Sequence, residues 1–563
     1  MRANKILLLI SSLLTLGVLV FAAYQENVQR DWRRLQEKYR SALPPESSSE
    51  FVLQLRQIVV PAMGTTDRCV TCHLGMAPGE TPIEGDRVFV RHPQVGHDPA
   101  EFGCVVCHGG QGRATDEDDA HGHVEHWPAP MVPRGYAFAG CGTCHTHLAV
   151  PNLAQLERGR DLFERYDCLA CHRIDGRGGT TRPGAAAGID GGDLSRSGIG
   201  DGQRGWYEAH VEKRRSASSG PWRDSFGEIP AGDLAAVRTY LESRVGAPGL
   251  VESKALFHSR GCRGCHKLGG VGGDDGPDLT RVGEKDPGRL DFTHVPEPRS
   301  LPSWLAEHFR APASVVPGSA MPVLGLSEEE IRTLVFYMMS LRRSNLPEAY
   351  WPKDRIRAER FAEREFATDG ATLYGSFCAA CHGPRGEGMR YPGMNAFPAI
   401  GNPDFLQIAS DTFITETVHR GRPGRRMPAW GEKEGGLRPD EVKAVVGYLR
   451  GVGGGGPGRD VDFVADTKPA RWVKADAGVG ARLFADNCAV CHGERGEGKE
   501  GTALSSPVLL QSASDTYLVE TIRRGRRDTS MPAFLSSSTT HRMLSELEIE
   551  AVVAFIRTWE VKP

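Results

Sequence analysis

Cys378-Ala379-Ala380-Cys381-His382 decides how this 563-residue chain is read, because the same spacing recurs until it has consumed every cysteine. The other six copies are Cys69/Cys72/His73, Cys104/Cys107/His108, Cys141/Cys144/His145, Cys168/Cys171/His172, Cys262/Cys265/His266 and Cys488/Cys491/His492. Seven pairs account for all 14 cysteines. In such a motif the two thiols add to the two vinyl groups of a haem, and the histidine directly after the second thiol becomes the iron's proximal ligand. Zinc ribbons, redox dithiols and disulfides also use C-x-x-C. An odd number of pairs suits ribbons badly, and none of these alternatives asks for a histidine after every second cysteine. The expectation is seven covalent haems c, held by these cysteines, with His73, His108, His145, His172, His266, His382 and His492 on the irons.

The chain is too long for one core, and roughly three to five domains are expected. A formal net charge of -3 leaves no basic stripe for a nucleic acid. Aromatic residues make up only 7%, against 68 glycines and 37 prolines, so side chains offer little core material. Porphyrins would supply the missing apolar volume, and the haem-free chain should fold poorly.

Arg2 and Lys5 precede Ile6 to Tyr24, 19 uncharged and mostly apolar residues. That is long enough to span a bilayer. A cleaved signal peptide, with Val20 and Ala22 at the cleavage site, is the competing reading. An anchor is favoured because signal-peptide apolar runs are usually about 7–15 residues long. The preceding positive charges put the N-terminus in the cytoplasm and the rest outside. Residues 1–24 are therefore read as anchor or signal of a single-pass protein of the cell inner membrane, its haem domains periplasmic. Residues 25–60 read as a helical stalk interrupted at Pro44-Pro45, acting as a spacer.

Residues 61–150 carry three attachment motifs, too little chain for three self-contained folds, so their haems should nearly touch. This segment has no Met-Pro pair but is rich in histidine. Seven proximal histidines from 19 leave 12, and His92, His97, His121, His123, His126 and His147 are half of those. Such crowding is what bis-histidine ligation needs. The stretch His92-Pro93…His97…Phe102-Gly103-Cys104…His108-Gly109-Gly110-Gln111-Gly112…Ala120-His121-Gly122 resembles a module of membrane-associated multihaem cytochromes. The resemblance implies His92, His97 and His121 as distal ligands, with His126 next.

From about Leu153 the chain turns to repeats of roughly 90 to 110 residues with one motif in each. Each has a helix running into C-x-x-C-H, a glycine-rich loop, a distal ligand and a closing helix. All four resemble class I cytochrome c domains, at 151–246, 247–345, 360–452 and 470–563. The closing helices include Glu328 to Leu341, Pro439 to Leu449 and Glu546 to Trp559. Met321-Pro322, Met427-Pro428 and Met531-Pro532 follow their proximal histidines by 55, 45 and 39 residues. Met321, Met427 and Met531 are the expected sixth ligands there, the proline fixing the loop. Met338 and Met339 read as core. The expected fold class is mainly α: a loop-rich triple-haem module, then tandem small helical cytochrome c domains, with an N-terminal transmembrane helix.

The repeat around His172 departs from this pattern. Aligning Trp206…His210 with Trp304…His308 puts Arg223 opposite Met321, and no methionine lies between His172 and Met321. Because His308 accompanies an intact Met321, His210 reads as structural. Three outcomes remain: His210 swings in, a histidine from the triple-haem segment reaches over, or the iron stays five-coordinate, the last two being favoured about equally.

Methionine in place of histidine raises a haem's potential. The clustered haems should therefore sit low and the methionine-ligated ones higher. The leading expectation is an electron-transfer protein rather than an enzyme. It would take electrons from a quinol-oxidising membrane partner and pass them to a soluble or complex-bound acceptor. The alternative is a haem enzyme at His172, a peroxidase or a reductase of a small oxyanion. A polymerising cytochrome wire is less favoured, because single-haem domains do not stack haems continuously.

Overall fold

Each of the four repeats opens on a helix that lies tightly against its own closing helix, and a small residue makes that possible. The computed structural model describes residues 2–93, 95–124, 127, 129–146, 148, 150–179, 191–199, 205–215, 227–342, 346–453, 467–539 and 541–561. The opening helices are Leu153–Arg165, Leu250–Ser259, Gly370–Phe377 and Ala477–Asn487, and the closing helices are Ala231–Glu242, Glu328–Ser340, Pro439–Gly453 and Glu546–Arg557. The last three closing helices start where the sequence puts them, and one of them runs on past Leu449 to Gly453. A Cβ on Gly159 would sit 2.3 Å from the Ala236 carbonyl oxygen, on Gly370 2.2 Å from that of Ala444, and on Gly480 1.8 Å from that of Ala551. Only glycine allows backbones this close. In the second repeat Ser253 takes the same place, fully buried, and its hydroxyl donates to the Leu250 carbonyl at 3.0 Å. Four residues on, Phe163, Phe257, Tyr374 and Phe484 are each at most 2% exposed and anchor the crossing.

The repeats fall into two kinds. Directly after His172 and His266 come two short antiparallel hairpins, Arg173–Ile174 with Arg177–Gly178 and Lys267–Leu268 with Val271–Gly272. The last two repeats share a different feature, the amide of Arg422 donating to the Met427 carbonyl at 2.9 Å and that of Arg526 to the Met531 carbonyl at 3.0 Å. Ser327 with Glu330, and Ser545 with Glu548, form capping boxes that start two of the closing helices. Met338 and Met339 are core, 2% and 3% exposed.

Buried clusters run across the repeats. One joins Phe366 to Leu449 with Leu483 to Ile556, and there the Phe413 and Tyr517 rings lie 4.5 Å apart. Another takes Ala139 of the triple-motif segment into the core built by Leu256 to Met339. Leu148 and Val150 join the core of the repeat around His172, together with Leu250, Val251 and Ala255.

The N-terminal helix Arg2–Val28 is exposed along its apolar stretch, and Ala3–Glu26 is long and apolar enough to cross a membrane. The stalk is interrupted as expected, with the helix Asp31–Ala42 ending ahead of Pro44 and a short helix Pro45–Glu50 following. It is not a free spacer. Gln36 and Tyr39 are fully buried, and the Gln36 amide donates to the carbonyl of Thr71, inside the first attachment motif, at 2.9 Å. Tyr39 packs its ring 5.2 Å from those of Phe51 and Phe89. The charged sequence of this helix conceals the two residues that dock it.

Candidate haem centres

All seven motifs close the same turn. The histidine amide donates to the carbonyl of the first cysteine at 2.8 to 3.0 Å in every copy, from His73 to Cys69 through to His492 to Cys488. One helical turn places residues i, i+3 and i+4 on a common face, so both sulfurs and the imidazole face the same way. In five sites the ring Nδ1 then meets a backbone carbonyl: Val88 for His73 (3.2 Å), Gly192 for His172 (2.9 Å), Pro277 for His266 (2.8 Å), Pro398 for His382 (2.9 Å) and Thr502 for His492 (2.7 Å). That contact fixes the tautomer and leaves Nε2 for a metal. Burial pushes His108, His145, His266, His382 and His492 below the ordinary imidazole value, favouring the neutral ring that ligation requires.

The cysteines are all half-buried: Cys69 and Cys72, Cys104 and Cys107, Cys141 and Cys144, Cys168 and Cys171, Cys262 and Cys265, Cys378 and Cys381, Cys488 and Cys491. The second cysteines differ in what their carbonyls hold. At the fourth, fifth and seventh sites the second cysteine also closes the following loop. The carbonyl of Cys171 accepts from the Gly191 amide at 2.7 Å, that of Cys265 from Gly276 at 2.8 Å, and that of Cys491 from Gly501 at 2.9 Å and from Lys499 at 3.1 Å. Each of these glycines lies against its proximal ring: a Cβ would meet His172 at 2.6 Å, His266 at 2.4 Å and His492 at 2.8 Å. Cys171 and Cys491 thus fix a bare backbone beside the imidazole. The cause lies beyond the motif, in a loop glycine 10 to 20 residues downstream of the cysteine.

Four of the seven proximal histidines face a second imidazole. The ring centroids of His73 and His121 are 6.4 Å apart, those of His108 and His92 6.1 Å, those of His145 and His97 6.1 Å, and those of His172 and His210 5.9 Å. A ligating nitrogen lies about 2 Å from its metal and roughly 1 Å from its own ring centroid, so two imidazoles on opposite faces of one iron have centroids roughly 6 Å apart. Both ring planes then contain the axial direction, and any angle between them is allowed; here the angles run from 30° to 72°. The four pairs therefore fit an iron between their rings. His123 is exposed, with its Nδ1 3.4 Å from Asp118. His126 and His147 lie outside the described residues.

At His172, where a borrowed histidine or an open iron was favoured over His210, the nearest described imidazole is that of His210. It sits on the helix Trp206–Arg215, and its ring stacks on Trp206 at 4.9 Å and 15°. The signal lay in the Trp206…His210 spacing, which the fifth site repeats: the His308 ring stacks on Trp304 at 5.1 Å and 6°. Arg223 lies outside the described residues.

Met321, Met427 and Met531 are each half-buried on their Met-Pro loops. A Cβ on Gly421 or on Gly525 would sit 2.5 Å from the carbonyl carbon of Pro428 or Pro532. Both glycines, at φ +61° and +63°, let the Met-Pro loop press against the end of the preceding helix.

Neighbouring motifs touch. Cys69 and Cys104 are in side-chain contact, and a Cβ on Gly140, just ahead of Cys141, would fall 2.0 Å from the Cys107 carbonyl oxygen. The first three sites thus form one cluster. The Asp67 carboxylate organises it, accepting from the amides of Cys104 (2.5 Å) and Val105 (3.2 Å). Nothing in the sequence marked this aspartate. Cys265 and Cys381 are likewise in side-chain contact, joining the fifth site to the sixth.

Residues 365–449 and 475–556 match the family described as cytochrome c oxidase, cbb3-type, subunit III, and residues 250–342 match cytochrome c. Similar curated proteins include the cbb3-type cytochrome c oxidase subunit FixP of Bradyrhizobium sp. (strain ORS 278), 33% identical over 175 residues, which are 29% of this chain and 53% of that one. The subunit CcoP of Rhodobacter capsulatus is 29% identical over 201 residues, 34% of this chain and 61% of its own. The chain thus spans about half the length of the curated relatives it matches. Among solved structures, a chain of the Kuenenia stuttgartiensis reducing HAO-like protein complex covers 34% of this chain and 96% of its own, at 17% identity and a TM-score of 0.23, too low to bear on function.

Proposed function

Since the chain is a multihaem c-type cytochrome, we propose that it is a membrane-anchored, periplasmic electron conduit carrying seven haems c. The observation that carries this reading is the set of four facing imidazole pairs, 5.9 to 6.4 Å between centroids, at the first four attachment sites. Bound haem supplies a one-electron Fe(III)/Fe(II) couple. The cysteines hold it covalently, and His73, His108, His145, His172, His266, His382 and His492 hold the iron from one side. His121, His92, His97 and His210 take the other side at the first four sites, and Met321, Met427 and Met531 at the last three. Were these residues to hold each iron from both sides, no coordination position would remain for a substrate at His172, which disfavours the enzyme reading.

Histidine pairs lower the potential and methionine raises it. The conduit therefore runs downhill from the clustered sites next to the anchor to the C-terminal repeats. The relatives' membership in cbb3-type oxidases supports a place in a respiratory complex. A quinol-oxidising membrane partner supplies the electrons, and a soluble or complex-bound acceptor takes them. A potentiometric titration of the purified protein tests this order: four haems should titrate at lower potential than the other three. A single undivided group would refute it.

A further inference from the structure

Arg263 stands inside the fifth motif, between Cys262 and Cys265, yet its side chain is fully buried. A buried guanidinium needs partners. This one donates to the carbonyls of Leu268 (2.9 Å) and Val271 (2.7 Å), pairs with Glu365, and lies 5.1 Å from the Phe366 ring centroid and 6.0 Å from that of Phe377. Leu268 and Val271 belong to the hairpin that follows His266. Glu365 and Phe366 lead into the next repeat, and Phe377 immediately precedes Cys378. One side chain therefore ties the fifth motif to the sixth. Lys254 adds a second cation to Glu365 at 3.2 Å, and Arg426 of the sixth repeat pairs with Asp275 beside the fifth proximal histidine.

Around this tie the two backbones touch. A Cβ on Gly261 would lie 2.7 Å from the Ala380 nitrogen, and one on Gly264 3.2 Å from the Phe377 carbonyl oxygen. At the same place the Cys265 and Cys381 side chains meet. We propose that Arg263 is a positioning residue that locks the fifth and sixth haem sites edge to edge, making the Cys265–Cys381 contact the route by which an electron passes between the two repeats. The proposal rests on the reading of these motifs as haem sites. Each sulfur, once bonded to a vinyl carbon, belongs to the edge of its own haem, so the two bridged edges adjoin. The step moves one electron from a ferrous to a ferric iron; no bond forms or breaks and no proton moves. Arg263 puts a buried guanidinium charge beside both sites, opposed by the Glu365 carboxylate. Such a charge favours the reduced irons, because it acts through a low-dielectric interior.

Redox-poised electron paramagnetic resonance on the full-length holoprotein tests this, after the haem content has been measured as the pyridine haemochrome. In the wild type, two ferric signals of the methionine-ligated class should broaden each other, and the broadening should vanish when either is reduced. Arg263→Gln should weaken it and lower the midpoint potential of the pair, Glu365→Gln should raise that potential, and Arg263→Lys should recover the wild-type value. Opposed shifts are not what a merely structural role produces. Magnetically isolated signals in a wild type carrying seven haems overturn the proposal, as do shifts of the same sign in the two neutralising variants. A haem count below seven, with peptide mass spectrometry showing the fifth or sixth motif unmodified, overturns the underlying reading and the proposal with it. Should Arg263→Gln fail to fold, the wild-type broadening and the Glu365→Gln shift decide the matter.

Discussion

Alanine at Gly370 and alanine at Gly375 should change stability in opposite directions, although the two residues share one helix. At Gly375 no heavy atom lies within 4 Å of an added Cβ, so alanine brings only the loss of glycine's backbone freedom, a gain of about 0.5–1 kcal/mol. At Gly370 the added methyl falls 2.2 Å from the Ala444 oxygen, 2.9 Å from Tyr448 Cβ and 3.0 Å from the Ala444 carbon, where ordinary contact begins at 3.4 Å. The obstacle is helix backbone, which cannot rotate aside. The closing helix has to retreat and loosen Leu373, Val442 and Val445, each at most 1% exposed. Against rigid backbone at this distance the upper part of the overpacking range applies, about 2–3 kcal/mol, so that about 1–2 kcal/mol of destabilisation remains after a propensity gain of up to about 1 kcal/mol. A chain of several domains need not unfold in one step, so hydrogen exchange read helix by helix on the holoprotein is the suitable assay. Exchange in Gly370–Phe377 and Pro439–Gly453 should quicken about 5–30-fold in Gly370→Ala and slow about 2–5-fold in Gly375→Ala. Changes of the same sign, or a silent Gly370→Ala, would refute the close helix crossing.

Three further outcomes are expected. His210→Ala should convert one low-spin haem to high spin, with added imidazole restoring it; an unchanged spectrum would show that the iron at His172 does not depend on His210. Gln36→Leu strips the Thr71 and Gln54 carbonyls of their donor, at a cost of about 1–3 kcal/mol, so limited proteolysis between residues 43 and 57 should quicken, and equal cleavage rates would count against the docked helix. Burial pushes the Glu365 carboxyl up, but Lys254 and Arg263 outweigh burial and hold it at about 2, against an ordinary value of 4.5. With the folded value depressed, its stabilisation is complete above about pH 4.5 and disappears as the pH falls toward 2. Acid unfolding followed at the haem absorption should therefore lose this limb in Glu365→Gln.

The attachment sites were legible because covalent chemistry fixes their spacing; Cys-x-x-Cys-His tolerates no register shift. The loop closures at Cys171 and Cys491 were not, since each depends on where a distant glycine returns to the ring. His92, His97 and His121 stood out as a set, by their excess over what a surface needs. Their pairing with His108, His145 and His73 did not, because each partner arrives on a loop whose path is set by contacts such as Gly140 against Cys107. His210 was passed over as a ligand candidate for a definite reason. Its counterpart His308 shares a repeat with Met321, which made the position look structural; where the methionine is missing, the same Trp-stacked histidine lies against the proximal ring. Gln36 and Asp67 left no local trace, since each acts on a main chain more than thirty residues away. The meeting of the fifth and sixth sites depends on Gly261 and on a buried arginine inside a motif, and neither is distinguishable from a surface residue until the next repeat is in place.

The central claim is that the chain itself fills both axial positions of all seven irons. Electron paramagnetic resonance of the oxidised, purified protein, with and without cyanide, tests it most directly. The account predicts low-spin ferric signals alone, unchanged by cyanide. A high-spin signal that cyanide converts to low spin would contradict it and return an open iron, and with it a catalytic role, to the site at His172.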